Sequence, residues 1–137
     1  MTPHADIAST VTTYDHGPGS AGANAFSSQG YCVNGTIYVS GQYSHDMEGN
    51  FVGGDIEAQV RRSLENLDRV LAGFDVGRSN LAEVVIYLTN APEHLWQAAG
   101  LFKEYIGEHR PAVTGLGVTY LAFPEQLCEV RAVAHVG

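Results

Sequence analysis

Cationic side chains are scarce in this sequence. Seven Lys and Arg stand against fifteen Asp and Glu, which leaves a formal net charge of −8. Sequence-independent nucleic-acid binding needs clustered Lys and Arg against phosphates, so this balance argues against a nucleic-acid partner. The same balance argues against binding to an anionic membrane surface.

Long apolar runs and closely spaced histidines are also missing, and cysteines are few. No apolar run approaches the roughly 20 residues of a membrane span, and the first residues lack the pattern of a secretory signal. Cys32 and Cys128 are too few for a disulfide framework, so we expect buried thiols in a reducing cytoplasm. No two of the six histidines have the close spacing typical of zinc or iron ligands, so we expect no metal.

The size and composition favour a single globular domain. The chain has 137 residues, of which 45% are hydrophobic and 16% charged, and such a chain can bury a core without covalent crosslinks. Residues 1–25 show no sustained periodicity and are interpreted as an N-terminal arm or loop. Residues 26–137 carry the periodic segments and are interpreted as one α+β domain.

The first periodic segment predicts a β-hairpin. Within Tyr31–Val39, the pair Asn34-Gly35 separates two β-rich runs and is typical of a two-residue turn. The second strand continues into Ser40, Gly41 and Gln42. A glycine at this point lets a ligand or another backbone approach closely.

A helix is predicted next, beginning at Gly54 or Asp55 and capped at its other end by Gly73. Apolar residues recur at helical spacing at Ile56, Val60, Leu64, Leu67 and Leu71. The opposite face is charged, which indicates a solvated surface; its residues are Glu57, Arg61, Glu65, Asp68 and Arg69.

A buried strand and a second helix follow. Ala82–Leu88 is nearly continuously apolar, which is typical of a strand covered on both faces. Asn90 and Glu93 resemble a capping box, Pro92 falls in the first turn, and Arg110-Pro111 is expected to end the helix. The predicted buried stripe is Leu95, Ala98, Ala99, Phe102 and Ile106.

Two strands, Val113–Leu121 and Leu127–Val136, complete a β-β-α-β-α-β-β order. This order predicts an α+β fold in which both helices pack on one side of a mixed sheet. The other side carries apolar residues together with Glu129 and Arg131. A sheet face that is half apolar usually meets another chain, so we expect a closed, symmetric homo-oligomer.

Glu129 is the sharpest candidate for chemistry. A carboxylate in mid-strand among apolar residues could hold or activate a water molecule, or it could form a simple ion pair with Arg131 on the same face. Arg110 could bind a carboxylate or hydrogen-bond the carbonyl groups at the helix end. The neighbours Ser44, His45 and Asp46 cannot form a catalytic triad, because adjacent residues lack the required geometry.

Several segments together resemble the Rid family, the YjgF-type reactive intermediate deaminases that are also labelled L-PSP endoribonucleases. The match runs from about Phe26 to Val136. The segments that carry it are Ser40-Gly41-Gln42, Gln59–Leu71, Arg110–Thr114 and Pro124–Ala134.

The resemblance implies a chorismate-mutase-like fold, a homotrimer and ligand clefts between subunits. It also implies hydrolysis of enamines and imines to 2-oxo acids and ammonia without a metal or cofactor. Glu129 matches the acidic residue that holds the attacking water, and Gly41 matches a backbone contact beside the ligand, next to Ser40. An imine carbon is already electrophilic, so a positioned water and a proton relay suffice.

The sequence departs from the family pattern where the substrate carboxylate would bind. Val113 occupies the place of the arginine that grips this carboxylate, followed by Thr114, at the position of a small hydroxyl residue, and Gly115. Ser27 replaces an aromatic residue, and an asparagine of the second helix maps near Ala99. Val113 therefore indicates an apolar or uncharged ligand.

Three functions remain open at this stage. Glu129 favours an imine or enamine hydrolase with altered specificity, in which Arg110 or Arg131 could supply the missing charge. Val113 favours a non-catalytic small-molecule-binding or regulatory trimer. An RNA-cleaving activity has little support, because the sequence lacks a basic patch, a histidine pair and an aromatic platform.

Overall fold

The computed structural model describes residues 12–16 and 26–137. In these residues one six-stranded sheet carries two helices. The elements are β1 Thr12–Tyr14, β2 Gly30–Val33, β3 Thr36–Gln42, α1 Ile56–Gly73, β4 Leu81–Thr89, α2 Ala91–Ile106, β5 Ala112–Val118 and β6 Cys128–His135.

The sheet is mixed, and its last strand lies at its centre. The strand order is β1-β2-β3-β6-β4-β5. β4 and β5 are parallel, whereas the other neighbouring pairs are antiparallel. β5 ends at Val118, short of the predicted Leu121, because its partner β4 ends opposite it at Thr89.

The hairpin between β2 and β3 is confirmed. Val33 pairs with Thr36, so Asn34 and Gly35 form a two-residue turn. Their φ angles are 51° and 78°, the positive values that a primed turn needs and that asparagine and glycine tolerate.

Both helices pack on one face of the sheet, as expected for the α+β architecture. On β6 the residues Cys128, Val130, Ala132 and Ala134 alternate into this face and are buried. They share one core cluster with Leu67 of α1 and Phe102 of α2. The period-two pattern of β6 therefore identified the core face correctly.

Helix α1 begins as predicted and ends one residue later than predicted. The Asp55 side chain accepts a hydrogen bond from the Ala58 N–H at 2.9 Å, which caps the first turn. Gly73 is the last helical residue and Phe74 is the cap. Gly73 is needed for space, because a Cβ there would collide with the Tyr14 ring.

Helix α2 differs from its prediction at both ends. Asn90 has a φ of 52°, and its side chain caps no backbone N–H. That side chain donates instead to the Glu93 carboxylate, so the predicted capping box is wrong. The helix ends at Ile106, before Arg110, because Gly107 turns the chain with a φ of 65° and its N–H bonds the Lys103 carbonyl. Within the predicted stripe, Ala98 and Phe102 are buried but Ala99 is exposed.

A short strand lies in the segment predicted as an arm or loop, residues 1–25. β1 pairs with β2, with Thr13 opposite Tyr31. The rest of that segment, apart from Asp15 and His16, lies outside the described residues. The boundary between an arm and the domain at residues 25–26 stays a prediction.

The sheet face opposite the helices, here called the open face, carries exposed large side chains in the described part of the chain. Tyr31 and Tyr38 pair across β2 and β3, and Tyr38 pairs with Val133 of β6. Both tyrosines are exposed, and so is Leu116 on the edge strand β5. This open face carries the apolar surface that the sequence analysis assigned to contact with another chain.

Candidate functional site

A β-bulge in β3 shapes the site. Val39 pairs with Ala132 and Gln42 pairs with Val130, so three steps along β3 match two steps along β6. The extra residue falls at Ser40-Gly41, where the strand bends. Gly41 has no side chain there, and a Cβ on it would lie 2.8 Å from Cδ of Glu129 and closer still to Oε2.

Glu129 lies on β6 opposite Tyr87 of β4 and is half-buried. Its Oε1 accepts a hydrogen bond of 3.1 Å from the Gln126 side-chain amide. Its Oε2 is the atom nearest to the space above Gly41. One carboxylate oxygen is therefore held by the protein, and the other faces the bulge.

Gln126 positions this carboxylate, and sequence reasoning missed it. Its side chain is 1% exposed. Its Nε2 also donates to the Cys128 carbonyl at 3.1 Å, and its Oε1 accepts from the Phe123 N–H at 3.3 Å. Since the Cys128 carbonyl can only accept, it fixes which end of the amide faces Glu129. The sequence offers only a polar residue before an alternating strand, which does not signal burial.

The ion pair between Glu129 and Arg131 is not formed. Arg131 donates from Nε to the Tyr87 hydroxyl at 2.8 Å. Among the described residues, the salt bridges join Arg61 to Glu57 and Glu104, and Arg78 to Asp68. No described cation forms a salt bridge with the Glu129 carboxylate, which leaves Oε2 able to accept a hydrogen bond from water.

Ser40 and Tyr43 flank the bulge. The Ser40 hydroxyl donates to the Ser28 carbonyl at 2.7 Å, and the Ser40 N–H donates to the Gln29 carbonyl. Burial raises the pKa of Tyr43, and the negative charges of Glu129 and Asp46 raise it further. Tyr43 therefore stays a neutral phenol beside the site at neutral pH.

A buried polar cluster supports the bulge from the helix side. Gln42 is fully buried, and its Oε1 lies 2.8 Å from His16 Nε2 and 3.3 Å from His45 Nε2. Its Nε2 donates to Gln29 Oε1 and to the Ser40 carbonyl. Burial is the main cause that lowers the pKa of both His16 and His45 below the usual 6.5. The cluster connects His16, two residues after β1, to the strand that carries Gly41.

The neighbours Ser44, His45 and Asp46 form no triad, as predicted. Ser44 Oγ donates to the Val52 carbonyl at 2.6 Å. His45 Nδ1 lies 2.7 Å from the backbone carbonyl of Asp46, and the Asp46 carboxylate accepts from the backbone N–H groups of Glu48 and Asn50. These contacts shape a loop.

The sheet separates Val113 and Gly115, but not Thr114, from Glu129. Val113 pairs with Val84 and Gly115 pairs with Ile86, so both face the helices. Thr114 lies between them and faces the open side, the side that also carries Glu129. Within one chain the structure brings Ser40, Gly41 and Glu129 together, and it places Val113 and Gly115 on the other face.

Val113 and Gly115 line an apolar pocket between α2 and β5. The pocket has a volume of about 230 Å³ and opens beside a groove of about 500 Å³ that includes Arg110. In the part of the chain that the structure describes, Arg110 makes no hydrogen bond and no ion pair. The last carbonyl groups of α2 lie before it, so the helix-capping alternative for Arg110 is not observed.

Residues 12–16 and 26–137 contain neither a cluster of metal ligands nor a membrane-spanning helix. No group of three or more His, Cys, Asp or Glu residues in them could hold a metal ion. No helix in them is long and apolar enough to cross a membrane. His109 Nε2 lies 2.6 Å from the Leu81 carbonyl.

Comparisons with known proteins agree with the fold. The family model described as Endoribonuclease L-PSP matches residues 19–136. A RutC family protein of Pyrococcus abyssi is 31% identical over 109 residues, covering 79% of this chain and 84% of the relative. A Lactococcus lactis protein named as a proposed regulator, AldR, is 27% identical over 109 residues, covering 79% of this chain and 85% of the relative.

A solved structure shares the fold over nearly the whole chain. It is YyfA of Yersinia pestis, described as a protein of unknown function of the conserved Rid protein family. The TM-score is 0.79 at 27% identity, covering 91% of this chain and 100% of the other. The chain therefore has the α+β, chorismate-mutase-like fold that the sequence resemblance implied.

Proposed function

Because the chain belongs to the Endoribonuclease L-PSP family, also called the Rid or YjgF family, we propose that it hydrolyses an imine or enamine to a carbonyl compound and ammonia. One observation carries the proposal. The Glu129 carboxylate is held by the neutral amide of Gln126 above the side-chain-free Gly41. No cation of the described residues forms a salt bridge with it.

The reaction needs little more than this carboxylate. A water molecule bonded to Glu129 Oε2 attacks the C=N carbon while Glu129 takes up its proton, and the proton then passes to the nitrogen. When the resulting amino alcohol breaks down, Glu129 transfers the hydroxyl proton to the nitrogen. The C–N bond then breaks, and ammonia and the carbonyl compound leave. The substrate carbon is electrophilic from the start, so positioning supplies most of the acceleration, and no cofactor is required.

We propose that the complete cleft lies between subunits of a homotrimer. Val113 and Gly115 face the helices and Glu129 faces the open side of the same sheet. A ligand that contacts both sets therefore needs two protomers. The exposed tyrosines of the open face, Tyr31 and Tyr38, support burial against another copy of the chain.

A second candidate is a small-molecule-binding or regulatory trimer without catalysis. Val113 is its support, since a valine cannot hold a substrate carboxylate where the family has an arginine. The name of the Lactococcus lactis relative also points to regulation. An RNA-cleaving function is not proposed, because four of the seven cationic side chains are engaged with acids, an amide or a phenol of this chain.

Ammonia release distinguishes the two candidates. Amino-acid oxidases generate imines in situ from acidic, polar and apolar amino acids, and the wild type is compared with Glu129→Ala and Val113→Arg. We expect wild-type turnover that falls by about 10²- to 10⁴-fold in Glu129→Ala. Turnover only in Val113→Arg would mean that the wild type lacks only the arginine that binds the substrate carboxylate. No turnover in any protein would overturn the hydrolase proposal and favour the binding trimer.

We propose the cytoplasm as the site of this reaction. Cys32 and Cys128 are buried free thiols, which suits a reducing compartment. Burial raises the pKa of Cys128 to about 11, so this thiol takes no part in the proposed chemistry.

A further inference from the structure

The groove between α2 and β5 has two connected parts of different chemistry. The inner part is the pocket of about 230 Å³. Its lining is entirely apolar and consists of Ile86, Leu88, Leu95, Ala98, Ala99, Phe102, Val113 and Gly115. The outer part is the groove of about 500 Å³, which shares Ala99, Phe102 and Val113 with the inner pocket. One ligand can therefore occupy both parts.

Gly115 keeps the inner pocket open. A Cβ on Gly115 would lie 3.5 Å from Leu95 Cδ1, an ordinary contact. The glycine is therefore not required by the backbone packing, and a larger side chain would project into the pocket. The pocket holds no charged side chain, so an apolar group is the chemistry that fits it.

The outer part brings free cations to the mouth of this pocket. Lys103 and Arg110 line it, together with Glu108 and His109. The other cations of the chain are mostly engaged: Arg61, Arg69, Arg78 and Arg131 bond to acids, an amide or a phenol. Among the cationic side chains of the described residues, only those of Arg62, Lys103 and Arg110 make no hydrogen bond or ion pair. Two of these three line one groove in a chain of net charge −8.

We propose that this groove binds an amphiphilic monoanion, with its apolar body in the inner pocket and its carboxylate against Arg110 and Lys103. A cavity of about 150 Å³ holds benzene, so a pocket of this size accepts a body of about six to nine carbon atoms. Arg110 then supplies, from outside the pocket, the charge that Val113 does not. The claim that the substrate is an imine with an apolar side chain rests on the proposed function. The claim that the groove binds a carboxylate does not.

Calorimetric titration of the wild-type protein with straight-chain carboxylates tests the site. Affinity should rise about fourfold for each added methylene from butanoate to octanoate. Binding should show a negative heat-capacity change, the mark of apolar burial. Hexanoate should bind more tightly than hexan-1-ol, and hexylammonium should bind least. Equal affinities for butanoate and octanoate, or for hexanoate and hexylammonium, would overturn the proposal.

Paired variants locate the two ends of the ligand. Arg110→Gln should weaken hexanoate about tenfold and leave hexan-1-ol unchanged. The control Arg62→Gln removes the other free arginine and should change neither. Gly115→Leu should abolish the chain-length dependence, whereas Gly100→Leu, at a helix position with open space around it, should keep it. An unchanged hexanoate affinity in both Arg110→Gln and Gly115→Leu would place the ligand elsewhere and refute the site.

Turnover separates this inference from the proposed function. Carboxylate binding without any imine hydrolysis would leave the site standing and overturn the function. Hydrolysis that shows no preference for apolar side chains, with no carboxylate binding, would overturn the site and leave the function standing.

Discussion

Gly41→Ala should remove activity without harming the fold. Gly41 lies in the β3 bulge directly under the Glu129 carboxylate, and it does not adopt a positive φ. Alanine therefore fits the backbone. The three atoms nearest to the new methyl group all belong to the flexible Glu129 side chain, whose carboxylate can rotate away.

The structure gives the size of the effect. A Cβ at Gly41 would lie 2.8 Å from Glu129 Cδ, so the carboxylate must retreat by roughly 1 Å to reach an ordinary contact of about 3.5–4.0 Å. A displacement of about 1 Å in a catalytic group can cost about 100-fold in rate. The free energy of unfolding should change by no more than about 1 kcal/mol, the usual scale for replacing glycine with alanine.

Ammonia release and urea unfolding measure the two effects on the same protein. Gly100→Ala is the control, because Gly100 lies in α2 with open space around it. It should raise the free energy of unfolding by about 0.5–1 kcal/mol and leave activity unchanged. Full activity in Gly41→Ala would refute the argument that the position of Glu129 above the bulge matters.

Three further results are expected. Burial lowers the pKa of His16 and His45 in the folded protein below 6.5. As the pH falls below 6.5, the unfolded chain therefore binds more protons than the folded chain, and the free energy of unfolding decreases. The decrease is at most about 1.4 kcal/mol per pH unit for each histidine. Urea unfolding between pH 7 and 5 should show that the free energy of unfolding depends less steeply on pH in His16→Gln than in the wild type. An unchanged dependence would contradict the burial of His16 in the polar cluster. Tyr38→Glu should dissociate the proposed trimer in sedimentation velocity, because the added carboxylate would be buried at the open face between subunits. An intact trimer would place the interface elsewhere. Asp55→Ala should lower the free energy of unfolding by about 1 kcal/mol through loss of the α1 cap, and an unchanged urea midpoint would count against that cap.

Local patterns predicted much of the fold. The Asn34-Gly35 turn, the Asp55 cap and the alternation along β6 each depend on neighbouring residues, so the sequence alone was sufficient. The same period placed Glu129 on the face away from the core, and the structure confirms it.

Features that depend on pairing between distant segments were not predictable. The central place of β6 and the added strand β1 follow from strand pairing that no single segment encodes. The order of side chains across the sheet also separates Val113 from Glu129, although both were predicted near one ligand. Gln126 was missed because its burial depends on a loop packing back onto β6 and α1.

The isosteric change Glu129→Gln tests the central claim most directly. It keeps the size of the side chain and removes the carboxylate that is proposed to hold and activate water. Ammonia release from an imine should fall by about 10²- to 10⁴-fold in Glu129→Gln, while Glu125→Gln, a change at an exposed carboxylate of the adjacent turn, should match the wild type. Wild-type turnover in Glu129→Gln would contradict the assignment of hydrolysis to this residue.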